Sequence, residues 1–203
     1  MAKQLGFYVN VANCTGCKAC EIACKDKSNL PSGVRWRRVY EFGGGDWVQD
    51  GEQVVASGVF SYFVSNACNH CEKPICMEVC PASAISKRDD GIVLIDANKC
   101  IGCRYCSWAC PYGAPQFNEE AKVMTKCNFC YDLQAQGEKP ACVDGCPYRV
   151  LEFGDIEELK AKHGNLNNVA PMPDPSLTEP AVVYSPHKNT RTSATSGQVM
   201  NID

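Results

Sequence analysis

The sequence lacks the features that mark several large classes of protein. It has no apolar run approaching the roughly 18 residues of a membrane-spanning helix. It has no block of like charges, and a formal net charge of −3 argues against a nucleic-acid-binding protein. Residues 1–11 carry one lysine and no small-residue cleavage site, so we do not expect a secretory signal. Without its cysteines the sequence is only about 37% hydrophobic, which predicts a thin apolar core.

What the sequence has instead is cysteine, with 16 residues in four groups of four. The first and third groups follow the pattern C-x2-C-x2-C-x3-C, and the second and fourth widen the middle gap. A proline follows the last cysteine of groups two, three and four. This spacing is typical of bacterial ferredoxins, in which three close thiolates and one distant thiolate hold a [4Fe-4S] cluster. The groups are Cys14, Cys17, Cys20 and Cys24; Cys68, Cys71, Cys76 and Cys80; Cys100, Cys103, Cys106 and Cys110; and Cys127, Cys130, Cys142 and Cys146.

The cysteines have two alternative interpretations, disulfide bonds and zinc sites. Disulfides fit badly, because C-x2-C pairs have poor disulfide geometry and nothing marks secretion. Four all-cysteine zinc sites would also use every cysteine, but zinc sites usually consist of two C-x2-C knuckles. The triplets followed by Cys-Pro therefore favour four [4Fe-4S] clusters with four thiolates each.

The segments between the groups predict which cysteines share a cluster. Residues 81–99 join groups two and three and contain an Asp-Asp-Gly turn before the β-rich segment 92–96, which indicates a hairpin within one ferredoxin unit. Groups one and four are then left to pair, and strand-like segments at 5–11 and 150–154 flank them. The alternative pairs group one with two and group three with four. The predicted ligand sets are Cys14, Cys17 and Cys20 with Cys146; Cys127, Cys130 and Cys142 with Cys24; Cys68, Cys71 and Cys76 with Cys110; and Cys100, Cys103 and Cys106 with Cys80.

We therefore expect an α+β protein in which one bacterial ferredoxin-like unit with two [4Fe-4S] sites is nested within another. The outer unit comprises residues 1–24 and 119–163, and the inner unit residues 66–118. Residues 25–65 are predicted to form an inserted small β-sheet. Residues 164–203 are predicted to be an extended C-terminal tail that contacts partners.

Local signals refine this architecture. Gly43-Gly44-Gly45 and Asp50-Gly51 are predicted to be turns of the inserted sheet. A short helix is predicted from Asp155, its N-cap, to His163. The apolar segment 181–184 gives the proline-rich tail something to bury.

No group of residues forms a catalytic constellation. His70 lies between two cysteines, and we expect it to form a hydrogen bond near a cluster rather than to be a ligand. Arg37, with Arg35 and Arg38, fits a docking patch or a solvated strand face. Arg104 lies inside group three, where a cation would favour the reduced cluster and raise its potential. Trp108 is predicted to shield a cluster from water.

The sequence resembles the four-cluster ferredoxin-type subunits of the molybdopterin oxidoreductases over nearly all of its length. Within that family, several stretches outside the basic cysteine pattern are most similar to the electron-transfer subunits of dimethyl sulfoxide reductases. These stretches are RRVYE at 37–41, GGDW at 44–47, CIGCRYCSWACPYGAPQ at 100–116, HGNL at 163–166 and VAP at 169–171.

The resemblance implies a non-catalytic electron-transfer subunit of a heterotrimer in anaerobic respiration. A membrane anchor subunit would oxidise quinol, and a catalytic subunit with a molybdenum bis-molybdopterin guanine dinucleotide cofactor would reduce an S- or N-oxide. The cluster that includes Cys146 would lie nearest the catalytic subunit, and the cluster that includes Cys80 nearest the membrane. Some relatives have tryptophan at the position of Cys103 and a [3Fe-4S] cluster there, so the cysteine in this sequence implies four [4Fe-4S] clusters.

The resemblance also bears on location and on alternatives. It favours the periplasmic face of the bacterial inner membrane, with export carried by a twin-arginine signal on the catalytic partner, over the cytoplasmic face. The corresponding subunit of a thiosulfate or polysulfide reductase, a free polyferredoxin and a structural zinc protein stay open as alternatives.

Overall fold

The computed structural model describes residues 3–190 and 197–201, and it shows a mixed α+β protein of short elements. Several of the helices are a single turn long and start beside cysteines. The strands are β1 (Leu5–Asn10), β2 (Arg38–Asp50), β3 (Gln53–Asn66), β4 (Ile85–Lys87), β5 (Val93–Ile95), β6 (Gln116–Asn118), β7 (Val123–Thr125), β8 (Leu151–Asp155), β9 (Val182–Ser185) and β10 (Gln198–Val199). The helices are α1 (Ala19–Lys27), α2 (Ile75–Glu78), α3 (Tyr105–Ala109), α4 (Tyr131–Gln134), α5 (Ala141–Asp144) and α6 (Ile156–His163), with a 3-10 turn at Pro175–Leu177.

A three-stranded sheet joins the two ends of the cysteine-rich region. In it β1 lies between β8 and β9, and it pairs antiparallel with β8 from Leu5 opposite Asp155 to Val9 opposite Leu151. This confirms the pairing predicted for the strands before group one and after group four. Helix α1 packs against α5, so segments distant in the sequence come together.

Two short antiparallel hairpins occupy the middle of the sequence. Strand β4 pairs with β5, and β6 pairs with β7. The first of these is the predicted hairpin between groups two and three, and its turn is closed where the amide of Gly91 donates to the carbonyl of Arg88 at 2.9 Å.

The inserted segment is a long hairpin of β2 and β3, as expected, but its glycine run is not a turn. Residues 43–45 lie inside β2, and the pairing register shifts between Gly44 and Asp46. Gly45 has φ +139°, and a Cβ there would lie 2.8 Å from the Cα of Val59. Glycine therefore permits a β-bulge at a close approach of two strands. The turn at Gly51 is where the sequence predicts it.

The tail orders against the rest of the protein over part of its length. Strand β9 pairs in parallel with β1, and the side chains from Ala181 to Tyr184 are at most 2% exposed. Strand β10 pairs with β2. The other parts of the predicted tail and outer unit, residues 1–2, 191–196 and 202–203, lie outside the described residues.

The interior is shared between apolar side chains and cysteines. Phe7, Val9 and Val64 form one buried cluster with cysteines of groups one and four. A second cluster joins Ile85 and Val93 to cysteines of groups two and three. Helix α6 begins after Asp155, whose side chain accepts a hydrogen bond from the amide of Glu157, so the predicted N-cap is confirmed. Over the described ranges, no helix is both long enough and apolar enough to cross a membrane.

Candidate metal centres

One cavity brings together cysteines from two groups. It is lined by Cys68, Cys71 and Cys76 of group two and by Cys110, the last cysteine of group three. Helix α2 carries Cys76, and Cys110 follows directly after α3. The packing of α2 against α3 therefore places the distant cysteine opposite the other three.

A second cavity has the reciprocal composition. Its cysteines are Cys100, Cys103 and Cys106 of group three with Cys80, the last cysteine of group two. Apolar side chains from the β4–β5 hairpin and from β7 complete the lining. Each of the two groups thus contributes three cysteines to one cavity and one to the other.

The cysteines of groups one and four are also close to one another. Burial raises the pKa of Cys14, and so do the nearby sulfur atoms of Cys20, Cys146 and Cys17, which complete one of the predicted ligand sets. Cys24 has Cys142, Cys130 and Cys20 as electrostatic neighbours, of which Cys142 and Cys130 belong to its own predicted set. Interactions across the sets occur as well, between Cys20 and Cys142 and between Cys127 and Cys68. The predicted sets that contain Cys20, Cys127 and Cys68 are therefore neighbours of one another.

The backbone around the cysteines repeats one unusual conformation. In every group the residue before the second cysteine has positive φ, with values of 72° for Gly16, 43° for His70, 69° for Gly102 and 62° for Phe129. Left-handed residues in such loops turn successive N–H groups toward one concave side, which makes an anion-binding nest. The glycines are expected at such positions, whereas His70 and Phe129 adopt the conformation at a steric cost and carry no signal in the sequence.

Backbone amides already point at sulfur. The amide of Ala84 donates to Cys80 Sγ and that of Met124 to Cys100 Sγ, both at 3.3 Å, while that of Phe129 donates to Cys127 Sγ at 3.4 Å. Hydrogen bonds of this kind favour the thiolate over the thiol. The loops therefore suit anionic sulfur ligands.

The thiols themselves are costly to ionise without a metal. Burial raises the pKa of Cys24, Cys71 and Cys76 to about 12 and that of Cys106 to about 11. A thiolate in these sites must therefore be stabilised by a cation that replaces the proton. All 16 cysteines are free thiols and remain available for this.

The donor chemistry fits iron–sulfur clusters. Each cavity presents four soft sulfur donors in a mainly apolar surrounding, which suits iron–sulfur or other thiophilic centres rather than hard cations. Within residues 3–190 and 197–201, no three His, Cys, Asp or Glu side chains are arranged about a single metal ion. Eight of the cysteines line the two cavities described above, four in each.

The structure places His70 and Arg104 in different surroundings. His70 is completely buried beside the first cavity, and its Nδ1 accepts a hydrogen bond from the amide of Val93 at 3.0 Å, so Nε2 carries the proton. The predicted structural role of His70 agrees with this position. Arg104 is half exposed, pairs with Glu119 at 3.1 Å and lies over Phe117, so its charge is largely compensated.

Two more expectations from the sequence are wrong. Trp108 is 76% exposed and contacts the ring of Tyr105, because the single turn of α3 directs it outward. It does not shield a site from water within this protein. Arg37 is neither on a solvated strand face nor in a docking patch, because it is 2% exposed and lies in the interior.

Known proteins resemble this one over its whole length. A family model described as a 4Fe-4S dicluster domain matches residues 59–156. The B subunit of the anaerobic dimethyl sulfoxide reductase of Escherichia coli (strain K12) is 52% identical over 202 residues, covering 99% of this sequence and 98% of that protein. The equivalent B subunit of Haemophilus influenzae is 46% identical over 200 residues, with 98% of each sequence covered. The B subunit of the polysulfide reductase of Wolinella succinogenes is 38% identical over 193 residues, covering 93% of this sequence and 97% of that protein.

Proposed function

This protein belongs to the family of iron–sulfur B subunits of anaerobic dimethyl sulfoxide reductases, and we propose that it relays electrons through four [4Fe-4S] clusters. It is an electron-transfer subunit of a reductase complex and does not itself transform the substrate. The observation that carries the proposal is the reciprocal arrangement of groups two and three, in which each cavity takes three cysteines from one group and one from the other. This is the ligand exchange that a two-cluster ferredoxin requires.

The proposed ligands are four sets of four cysteines. The two cavities support the sets of the inner unit, and the electrostatic neighbours of Cys14 and Cys24 support those of the outer unit. The pairing of β1 with β8 supports the nesting of the inner unit, residues 66–118, within the outer unit, residues 1–24 and 119–163. The sets are Cys14, Cys17, Cys20 and Cys146; Cys24, Cys127, Cys130 and Cys142; Cys68, Cys71, Cys76 and Cys110; and Cys80, Cys100, Cys103 and Cys106.

The protein's own residues would hold and insulate these groups. A bound [4Fe-4S] cluster supplies one-electron redox chemistry. The left-handed loops direct backbone N–H groups toward the sulfur atoms, and the buried apolar residues around the cavities exclude water. No proton transfer is required of these residues.

We propose a heterotrimer in which this subunit connects two unlike partners. One partner is an integral membrane subunit that oxidises quinol, and the other is a molybdopterin subunit that reduces dimethyl sulfoxide and related S- and N-oxides. The exposed side chains of Ile101, Tyr105 and Trp108 lie beside the Cys80 set and supply an apolar surface for the membrane partner. The family likeness favours a position of the Cys146 set toward the catalytic subunit. It also favours the periplasmic face of the inner membrane.

The cluster number can be tested on the complex purified anaerobically. We expect about 16 iron atoms per subunit, which is four cubes of four, and reduced-state EPR signals from four interacting [4Fe-4S] clusters. A strong oxidised [3Fe-4S] signal in the intact protein would contradict four cubes. A colourless protein that contains zinc, or a subunit that elutes alone without molybdenum, would contradict the relay itself.

The ligand sets can be tested separately from the number of clusters. In the nested arrangement Cys24→Ser and Cys127→Ser alter the same EPR signal, whereas Cys24→Ser and Cys71→Ser alter different ones. The sequential pairing of the groups predicts the opposite, because Cys24 would then complete the set of Cys71. Ser61→Ala, a change at an exposed position of β3 outside the proposed ligands, serves as the control for cluster number.

A second candidate function follows from one comparison. The 38% identity to the B subunit of a polysulfide reductase supports, as the alternative, a subunit of a complex that reduces polysulfide or thiosulfate. Activity of the complex with dimethyl sulfoxide, trimethylamine N-oxide, polysulfide and thiosulfate distinguishes the two. We expect the two oxides to be reduced, and a preference for polysulfide or thiosulfate would support the alternative.

A further inference from the structure

The interior holds an arginine whose donors are mostly unpaired. Arg37 precedes β2, and its Nη1 donates to Ser65 Oγ at 3.0 Å. Its guanidinium carbon lies 4.7 Å from the centre of the Phe7 ring, in a cation–π contact. Its Nε and Nη2 are buried without a well-formed hydrogen bond among the described residues, and the guanidinium faces the sulfur of Cys142.

A second buried cation, Lys126, shows that the polypeptide can provide acceptors for such a group. Lys126 is also buried, and its Nζ donates to the carbonyl oxygens of Val93 and Cys127. Arg38 is only partly buried, and its Nη2 donates to the carbonyl oxygens of Tyr112, at 3.1 Å, and Gly113, at 2.7 Å, although its Nε also has no partner among the described residues. A buried cation with unmade hydrogen bonds is strongly unfavourable unless an anion compensates it. Arg37 therefore points to an anion that the polypeptide alone does not supply.

The surroundings of Arg37 indicate where that anion lies. Burial lowers the pKa of Arg37, and the sulfur atoms of Cys142, Cys20, Cys127 and Cys24 raise it, with a net rise above the usual range. An arginine is cationic in any case. Cys20 belongs to the proposed Cys146 set, and the other three cysteines belong to the proposed Cys24 set. Arg37 thus lies between the two sites of the outer unit.

We propose that Arg37 is the fixed counter-charge shared by the two outer clusters, with its free Nε and Nη2 donating to their sulfur atoms. It is a positioning residue, and it holds the reduction potentials of both clusters above the values they would have without it. The reason is electrostatic, because a reduced cluster carries one more negative charge than an oxidised one and is favoured by a nearby cation in a medium of low polarity. This inference rests on the ligand sets proposed above.

The test is an EPR-monitored redox titration of the intact complex, purified anaerobically. Arg37→Gln and Arg37→Met remove the charge, and Arg37→Lys keeps it. Arg38→Gln is the matched control, since it removes the same charge one residue away from a side chain that faces backbone carbonyls. Met fills a similar volume without a buried polar group, so it provides the comparison if the Gln variant does not assemble.

We expect the two outer clusters of the neutral variants to become harder to reduce. At a fixed solution potential their ratio of reduced to oxidised form should fall at least tenfold, a shift of about 59 mV for one electron. The two inner clusters should change less than threefold, and Arg37→Lys and Arg38→Gln should resemble the unaltered protein. Loss of outer-cluster iron in the Gln and Met variants, but not in the Lys variant, would also support the proposal.

Other results would overturn it. Unchanged outer potentials in a fully loaded neutral variant would show that the charge has no influence on the clusters. Equal shifts in Arg37→Gln and Arg38→Gln would show only a general effect of net charge. Iron loss in all three Arg37 variants would indicate that the side chain matters through packing. In each case the paired variants of Cys24, Cys127 and Cys71 described above test the ligand sets independently of Arg37.

Discussion

A substitution at Val183 can measure how strongly the C-terminal tail is held against the rest of the protein. It is 0% exposed at the middle of β9, and it lies opposite Tyr8 of β1 in the parallel register. Its side chain lies in a buried cluster with Ile156 and Leu159 of α6. If the sheet of this protein holds the tail, a smaller side chain here should loosen it even without a partner.

The expected effect follows from the groups removed. Val183→Ala deletes two methyl groups, each worth about 0.8 kcal/mol on burial. The cavity left behind raises the cost to about 2 kcal/mol. Because about 1.4 kcal/mol is a factor of ten, this corresponds to roughly a 30-fold larger population with β9 detached.

Amide hydrogen exchange of the cluster-loaded protein measures that population. The amide of Tyr184 donates to the carbonyl of Leu166 at 2.7 Å, and that of Val11 to the carbonyl of Ser185 at 2.9 Å, so both are protected only while the strand is docked. We expect their exchange to accelerate by about 10- to 30-fold. Val54→Ala is the matched control, because the same two methyl groups are removed from a side chain that is 59% exposed. Acceleration below about threefold, or equal in the two variants, would refute the reasoning.

Three further predictions concern the sites themselves. Gly102→Ala should abolish iron–sulfur loading of the site beside it, because a Cβ at φ +69° would lie 2.6 Å from the carbonyl oxygen of Lys122. In the control Gly51→Ala the Cβ meets open space, and the free energy of unfolding should fall by only about 1–2 kcal/mol. Iron analysis and urea unfolding compare the two variants, and equal iron loss would contradict the steric argument. Cys103→Ala should leave three thiolates at its site and convert that cluster to a [3Fe-4S] form visible in the oxidised EPR spectrum, and a silent oxidised spectrum with full iron content would show that Cys103 is not a ligand. Binding of Co²⁺ to the apoprotein should strengthen as the pH rises from about 6 to about 8. Burial raises the pKa of Cys24 to about 12, so each thiol must release its proton when it binds the metal. An affinity that does not change with pH in a spectroscopic titration would contradict this.

The sequence predicts the strands beside the cysteine groups well, because their signals are local. Apolar and aromatic residues identify the segments of β1 and β8 as strands, and the Asp-Asp-Gly turn identifies the β4–β5 hairpin. The N-cap of α6 is predicted for the same reason, since its hydrogen bond joins Asp155 to Glu157 only two residues away. Such features depend on neighbours along the sequence rather than on the fold.

The glycine run and the tail show where local signals fail. Residues 43–45 resemble a turn in composition, yet they lie inside β2, because the opposing strand at Val59 approaches too closely for a side chain. The segment 181–184 has an evident need for burial, but the sequence does not say what buries it. The second edge of β1 buries it, because β8 pairs with only one edge of β1 and leaves the other to receive β9.

The sequence by itself determined the chemistry of this protein, because cysteines at fixed spacing in short loops point to iron–sulfur clusters wherever those loops lie. It also predicted which groups exchange their last cysteine. The tertiary structure places Cys110 in the cavity lined by group two and Cys80 in the cavity lined by group three. Only the tertiary structure decided the surroundings of those sulfur atoms. The run of charges and an aromatic at 35–38 gives no indication that Arg37 turns inward. Burial, unlike spacing, depends on which distant segments arrive on either side, and here they are β1, β3 and the cysteines of the first and last groups.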